Sequence, residues 1–492
     1  MGEDVDSTEF TGRDRQRYRE KVRRCLDVFA RMLTESKFDF DHPMTGLEIE
    51  FNLIDAEHNP AMKNAAVLEA IANPDFQTEL GQFNIEINVK PRELHGQSSD
   101  ELERDLRASL NDAEHRAASQ GAHIVMIGIL PTLLSAHLSS DVLSDNARYA
   151  MLQQQIFAAR GEDLHIDIDG PERLSSYSDS IAPEAACTSV QFHLQVSPQE
   201  YANNWNAAQA MAGVQLALGA NSPYLFGKEL WRETRVVLFE QSTDTRPAEL
   251  KTQGVRPRVW FGERWINSIF DQFEENVSYF PAILPVCDVE DPVEVLNRGD
   301  IPQLQELRMH NGTIYRWNRP VYDVYRNKPH LRVENRVLPA GPTVVDILAN
   351  GAFYYGLLRT LAEEDRPIWT RLSFAAAADN FYAGARHGIN ATLYWPGLGE
   401  VPATELVLRR LLPMAYEGLA RWGVAGDVQD RLLGIIEQRC ITHLNGAEWQ
   451  TSVVHRLEKE NRNLDRPDAL RQMLGRYVEN MHTNQPVHTW EI

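Results

Sequence analysis

The stretch Met44-Thr45-Gly46-Leu47-Glu48-Ile49-Glu50-Phe51 alternates in kind: Leu47, Ile49 and Phe51 are apolar, Glu48 and Glu50 acidic. Alternate side chains of a strand leave opposite faces, so a strand here puts both carboxylates on one side and an apolar row on the other. Two carboxylates side by side repel unless something positive lies between them. Alone, the stretch reads equally as a half-solvated surface strand. Three further stretches repeat its design. Asn84, Glu86 and Asn88 share a face opposite Phe83, Ile85, Ile87 and Val89. Ser189, Gln191, His193 and Gln195 face together in Ser189 to Val196, and Arg332, Glu334 and Arg336 do so in Leu331 to Val337.

A lone His193 reads as a hydrogen-bonded structural histidine, and Arg332 with Glu334 as a surface charge ladder of little energetic worth. Four such faces together read differently. If the strands are neighbours, Glu48, Glu50, Glu86, Glu334 and His193 share one concavity, and four carboxylates there require cations. Hard oxygen ligands favour Mg2+ or Mn2+, and an imidazole suits Mn2+ or a supporting position. Arg332 and Arg336, beside Glu334, have the planar fork that holds phosphate oxygens in pairs. The residues thus point to a metal–nucleotide site on the face of an antiparallel sheet.

The rest of the chain fits this. Its 492 residues, 43% hydrophobic, suffice for one large domain or two closely joined ones. With 49 basic against 70 acidic residues, a net of -21, the surface argues against nucleic acid or anionic membrane as partner. Such a protein holds a polyphosphate only with local help from cations. The cysteines, Cys25, Cys187, Cys287 and Cys440, form no CxxC pair, which fits inert core residues in a reducing, cytoplasmic setting. Residues 1–11 are polar and expected to be loose. Glu3 to Asp6 is acidic, unlike a secretory leader, and the apolar run from His123 to Leu138 is too broken to span a bilayer.

Helical spacing marks Arg13 to Glu35, Asn64 to Ala72, Asp100 to Ser119 with Ser98 or Ser99 as cap, Trp205 to Ala220, and Thr343 to Glu363 capped by Thr343. Ile124 to Leu130 reads as a buried strand, and Leu164 to Asp169 as one arm of an edge hairpin. Past Ala403 the chain reads as helical near 404–421, 427–440, 446–460 and 467–482. No βαβ rhythm appears, which favours an α+β fold: an antiparallel sheet with helices around it.

These motifs resemble the glutamate–cysteine ligase superfamily of carboxylate–amine ligases. Gly46-Leu47-Glu48-Ile49-Glu50-Phe51 is similar to its opening acidic strand, Phe83-Asn84-Ile85-Glu86 to its second, and Gln191-Phe192-His193-Leu194 to its histidine strand. Thr313 to Pro320, followed by Leu331 to Arg336, is similar to its aromatic-x-x-Arg-Pro segment and the strand after it. The resemblance runs in order from about residue 40 to about 390. It implies a curved antiparallel sheet like the catalytic cradle of glutamine synthetase, wrapped by helices. A catalytic region at 12–400 and a helical C-terminal extension at 401–492, packed on the same body, would follow.

The resemblance also implies ATP- and Mg2+-dependent amide formation through an acyl phosphate, from small amino acid substrates. L-glutamate and L-cysteine are the foremost pair. A different amine or carboxylate, or a phosphotransferase of guanidino-kinase type, remains open. Carried over, Glu48, Glu50, Glu86, His193 and Glu334 would bind metal, with Glu50 and Arg336 catalytic. Arg332 and Arg336 would hold ATP phosphates, and Arg319, Arg235 and Arg148 would bind substrate. Those last three are equally open to structural ion pairing. Arg386-His387-Gly388 would either close over the substrate or simply pack. The stretch from Leu164 to Thr188 and the helical tail depart from the shorter cysteine ligases, so the amine pocket is the least legible part. Nothing in the sequence fixes the oligomeric state.

Overall fold

Seven strands form one antiparallel sheet that curls into a half-barrel. They are β1 (Met44–Ile54), β2 (Phe76–Thr78), β3 (Asn84–Glu93), β4 (His123–Val125), β5 (Val190–Val196), β6 (Asn318–Tyr325) and β7 (Lys328–Asn335). The order across the sheet is β6-β7-β5-β1-β3-β2, with β4 pairing the far end of β1. The structure is a computed structural model that describes residues 10–35, 38–40 and 43–492. The expectation for the first nine residues lies outside it.

The four alternating stretches are thus the four central strands, as their patterning requires. Their apolar rows, including Leu47, Ile49, Phe51, Ile85, Ile87, Phe192, Leu194, Leu331 and Val333, are buried on one side of the sheet. Against that side lies the Val344–Ala362 helix, apolar around nearly its whole circumference and buried along nearly its whole length. Thr343 caps it, with Oγ1 accepting from Asp346 N at 3.1 Å. A Cβ at Gly351 would lie 2.9 Å from the Phe192 ring, so glycine there lets the helix approach. Tyr355 Oη donates to the Gly46 and His193 carbonyls at 3.2 and 3.0 Å, tying the helix to β1 and β5.

A second buried helix, Tyr201–Gly219, carries a chain of amides to the ends of β6 and β7. Asn318 Nδ2 donates to Gln209 Oε1 at 2.7 Å, and Asn335 Nδ2 to Asn318 Oδ1 at 2.7 Å. Gln215 Nε2 donates to Asn335 Oδ1 at 3.0 Å. Every member is buried, so each amide depends on the others for its partners. This chain fixes Asn335, the residue between Glu334 and Arg336.

The C-terminal region is helical at Ala403–Leu406, Leu412–Arg421, Gly426–Thr442, Gly446–Glu460 and Arg466–Thr483, close to the expected segments. A π turn at Val407–Leu411 precedes Pro413, whose missing N–H prevents regular winding there. Tyr477 Oη donates to Met126 O at 2.7 Å and receives Asn221 Nδ2 at 2.8 Å. Arg439 and Asp346 form a fully buried ion pair at 2.8 Å. The tail therefore anchors the loops behind the sheet. Among the described residues, no helix is long and apolar enough to cross a membrane.

Two expectations need correction. The third helix begins at Ser98 after Gln97, and no side chain caps it; Ser98 Oγ accepts from His95 N instead. The strand is His123–Val125, so only Ile124 and Val125 of the Ile124 to Leu130 segment belong to it. Beyond Val125 the chain leaves β1, and its peptide groups bond to Asn52, Thr188 and Asn221. Burial is as expected, but the partners are side chains and loops. Leu164–Asp169 does form a two-stranded ribbon, with Arg173–Ser178, and Asp167 pairs with Arg173 on its surface.

Candidate functional site

The polar faces of the strands align by register. Arg319 lies opposite Glu334, Glu334 opposite His193, and His193 opposite Gly46. Glu48 lies opposite Gln191 and Asn88, and Glu50 opposite Glu86. The pairing slips by one residue between Thr45 and Leu47, where β3 carries an extra residue, Lys90 and Pro91 standing opposite Gly46. A Cβ there would come within 3.2 Å of His193 Cβ, so glycine makes room for the imidazole. A cavity of about 240 Å³ opens above this face. Glu48, Glu50, Glu86, Glu334, Arg148, Arg319, Arg332 and Arg336 line it. His193 lies beneath, 5% exposed. Arg235 lines an adjoining inner cavity of about 70 Å³, which shares Glu50, Glu79, Leu80, Glu184 and Arg336 with the outer one.

The carboxylates divide into two electrostatic kinds. Glu334 receives Arg319 Nη2 at 2.8 Å and Arg336 Nη1 at 3.2 Å. Burial alone would raise its carboxyl; the two guanidinium charges bring it down to about 2. Glu48 is likewise held low, its burial outweighed by His193, whose Nε2 lies 3.1 Å from Oε1. Neither ring nitrogen has another polar partner among the described residues.

Glu50, Glu79 and Glu86 are the other kind. They bring ligand oxygens within 4.8 Å of one another. Burial pushes Glu50 up to about 7 with Glu86 adding to it, although Arg336 pulls the other way. Glu79 is raised by burial, Glu86 and Glu50, and Glu86 by burial and Glu48. Neutral donors do what they can: Ser189 N reaches Glu50 at 2.6 Å, Gln191 Nε2 at 3.0 Å, and Asn88 Nδ2 reaches Glu86 at 2.8 Å. Three hard oxygen donors, a nearby imidazole in contact with Glu48 and an unpartnered Gln191 Oε1 fit a divalent cation.

Sequence reasoning missed Glu79 and Glu184. Glu79 stands between β2 and β3, where the hairpin folds it back onto Glu86. The turn at Leu80-Gly81 was the available signal, but Glu79 lies outside any alternating run. Glu184 sits in a short 3-10 turn, Ala182–Ala186, which has no periodicity to read. The arginines are more committed than the motifs alone suggest. Arg319 is spent on Glu334, Arg332 on Asp323 at 3.2 Å and His330 at 2.8 Å, and Arg235 on buried Glu233 at 3.1 Å. Arg386 stacks on Trp231, and Gly388 packs against Arg232, so this segment packs. Cys187 lines the inner cavity and is not a core residue, while burial raises its thiol well above the ordinary range, as expected of an inert one.

The glutamate–cysteine ligase from Francisella tularensis, solved in complex with AMP, is 13% identical with a TM-score of 0.55, covering 93% of this chain and 96% of that one. A bifunctional glutathione synthetase from Pasteurella multocida is 11% identical, with a TM-score of 0.47 and coverage of 93% and 55%. The ligase PafA, in complex with the prokaryotic ubiquitin-like protein Pup, is 11% identical, with a TM-score of 0.36 and coverage of 88% and 71%. No curated protein matches. The first likeness establishes the fold, a half-barrel with its polar concave face lined by acids and arginines. The model of glutamate–cysteine ligase family 2 matches residues 44–460, so the chain belongs to that family of ATP-dependent carboxylate–amine ligases.

Proposed function

We propose that the enzyme joins the γ-carboxylate of L-glutamate to the amine of L-cysteine through an acyl phosphate, using ATP with Mg2+ or Mn2+. The supporting observation is the pairing of two half-sites on one sheet face. Among the described residues Glu50, Glu79 and Glu86 form no ion pair, while Glu334 is flanked by two guanidinium groups. Glu48, Glu50, Glu79, Glu86, Glu334 and His193 would hold the metal ions. Bound there, such ions neutralise the phosphates and the charge that develops as the phosphoryl group moves.

The protein's own groups supply position and charge. Arg336, fixed by Glu334, faces both cavities and would stabilise the transferring phosphoryl group and then the acyl phosphate. Arg332, with Arg148, lines the outer cavity, where the nucleotide would lie. Arg319 would act by orienting Glu334. Arg235 would take a substrate carboxylate in the inner cavity. Residues 401–492 would serve as a buttress, since their contacts run to the loops behind the sheet.

The test is a screen for ADP release across amino acids and amines, with L-glutamate present or absent and products weighed by mass spectrometry. Release that requires both partners and yields a new amide is the expected result. A stable phosphorylated product, or release indifferent to L-glutamate, would refute the proposal.

A further inference from the structure

Glu184 stands where the inner cavity opens into the outer one and lines both. Its backbone is held by its turn: the amide donates to Ile181 O and the carbonyl accepts from Cys187 N, each at 2.9 Å. Its carboxylate makes no hydrogen bond or ion pair among the described residues. Every other carboxylate of the cavity neck has a role in the cation half-site; this one stands apart on its own turn.

Two features of the inner cavity complement it. Asn84, 2% exposed, lines the cavity with Oδ1 unpartnered. Its orientation is fixed, because Asn84 Nδ2 donates to Asn52 Oδ1 at 3.2 Å while Asn52 Nδ2 donates to Ile127 O and Thr188 Oγ1. Arg235, also 2% exposed, is pinned through Nε to Glu233 and through Nη2 to the Val337 carbonyl. Its Nη1 has no such commitment among the described residues. The cavity thus presents unmet acceptors at its mouth and side and a fixed donor in its wall. An α-amino acid, with an ammonium and a carboxylate, satisfies both.

We propose that Glu184 receives the ammonium of the acceptor amino acid at the neck between the cavities and takes its proton as the amide forms. This rests on the ligase function proposed above. In the step, the ammonium gives one proton to the Glu184 carboxylate. The amine nitrogen attacks the acyl carbon, forming the C–N bond. The C–O bond to phosphate breaks, its electron pair leaves with the phosphate, and the remaining extra proton on nitrogen follows to that phosphate. Burial raises the Glu184 carboxyl, Arg336 lowers it and Glu50 raises it, leaving it at about 7, where a carboxylate exchanges protons effectively.

The test compares two nucleophiles, L-cysteine and hydroxylamine, with ATP, Mg2+ and L-glutamate at about pH 8. Hydroxylamine is neutral there and needs no proton removed before attack. Glu184→Gln should lower turnover at saturating cysteine by about 10²-fold, and hydroxamate formation by less than about 3-fold. Glu184→Asp, which keeps the carboxylate but withdraws it, should fall between, again for cysteine alone. Hydroxamate formation also shows that each variant is folded. Equal losses with both nucleophiles, in either variant, would overturn the assignment, as would undiminished cysteine turnover. A wild type that forms no hydroxamate from L-glutamate and ATP would instead bring down the ligase reading, and the assignment with it.

Discussion

Replacing a carboxylate of the acidic trio should stabilise the metal-free protein while destroying its activity, and Glu50→Gln isolates the effect. The folded-state carboxyl of Glu50 is raised from 4.5 to about 7, so its contribution is fully present below pH 4.5 and is lost as pH rises through 7. At pH 8 the rise costs about 3 kcal/mol. Burial is the main source of that cost; repulsion is of similar order, two unit charges at 4.8 Å, the widest separation within the trio, repelling by about 3.5 kcal/mol at an effective dielectric constant of about 20. Against this, the neutral amide cannot accept from both Ser189 N and Gln191 Nε2 as the carboxylate does, a loss of about 1 kcal/mol. The net is about 2 kcal/mol in favour of the variant. Unfolding entropy of about 2.1 cal/mol/K per residue, over 492 residues, is about 1 kcal/mol/K, so Tm should rise by about 2 °C. Calorimetry in EDTA at pH 8 should show that rise and at pH 5 should not. Adding Mg2+ with ATP should then raise the wild-type Tm and leave the variant behind. A variant that melts below wild type by the same margin at both pH values would refute the reasoning. So would equal stabilisation of both proteins by Mg2+ and ATP.

Three further outcomes are expected. Arg336→Lys should lower kcat by about 10²-fold while ATP affinity, read by calorimetric titration, changes much less, since an ammonium keeps the charge but not the fork between Glu334 and the cavity; equal loss in both would point to a binding role alone. Asn335→Leu strands the buried amides of Gln215 and Asn318 and should cost about 2–5 kcal/mol, seen as a lower Tm; an unchanged Tm would show that the amide chain carries no stability. His310, buried and holding Asn276 O at 2.9 Å, is lowered by burial to about 4. The folded state therefore resists its protonation, stability falls as pH drops from 6.5 through 4, and His310→Gln should flatten that part of the pH–Tm curve; an unaltered curve would refute the assignment.

The sheet was legible because its four central strands state their two faces residue by residue. A period of two, with acids, amides, histidine and arginine on one side, leaves a single way to bury the other side. The same logic located Glu48, Glu50, Glu86, His193, Glu334, Arg332 and Arg336, which all ride on those strands or at their ends. It could not reach Glu79 or Glu184, because a turn places its residues by backbone geometry that periodicity does not encode. Nor could it tell how an arginine is spent. Arg319 sits in an Arg-Pro segment that suggests a free guanidinium, yet cross-strand register sets it opposite Glu334. Register is a property of paired strands and cannot be read from either one alone. The error at Ile124 to Leu130 has the same root: that segment is buried, but whether its peptide groups meet a strand or the side chains of Asn52 and Thr188 depends on where β1 ends.

The division of carboxylates explains how a chain with a net charge of -21 can present a site for a polyphosphate. Glu334 is ionised at neutral pH because two arginines answer its charge, and the contact with His193 holds Glu48 low. Glu50, Glu79 and Glu86 are not so provided for; burial and mutual repulsion raise all three. A sheet face with every acid answered by arginine would have no affinity left for a cation. One with none answered would bind cations but hold the metal-free fold under severe repulsion. The answered acids stand on β7 and at Glu48 of β1; the unanswered ones stand at Glu50 of β1, at Glu86 of β3 and in the β2–β3 turn. Arg336 lines both cavities, so on the proposed reading its guanidinium would meet a phosphoryl group in either one. Glu184 lies at the same junction with its carboxylate uncommitted, on the side from which an amine would approach. On the proposed reading, three electrostatic tasks would be divided between the sheet face and the Ala182–Ala186 turn: holding cations, stabilising the phosphoryl group, and receiving the nucleophile's positive charge.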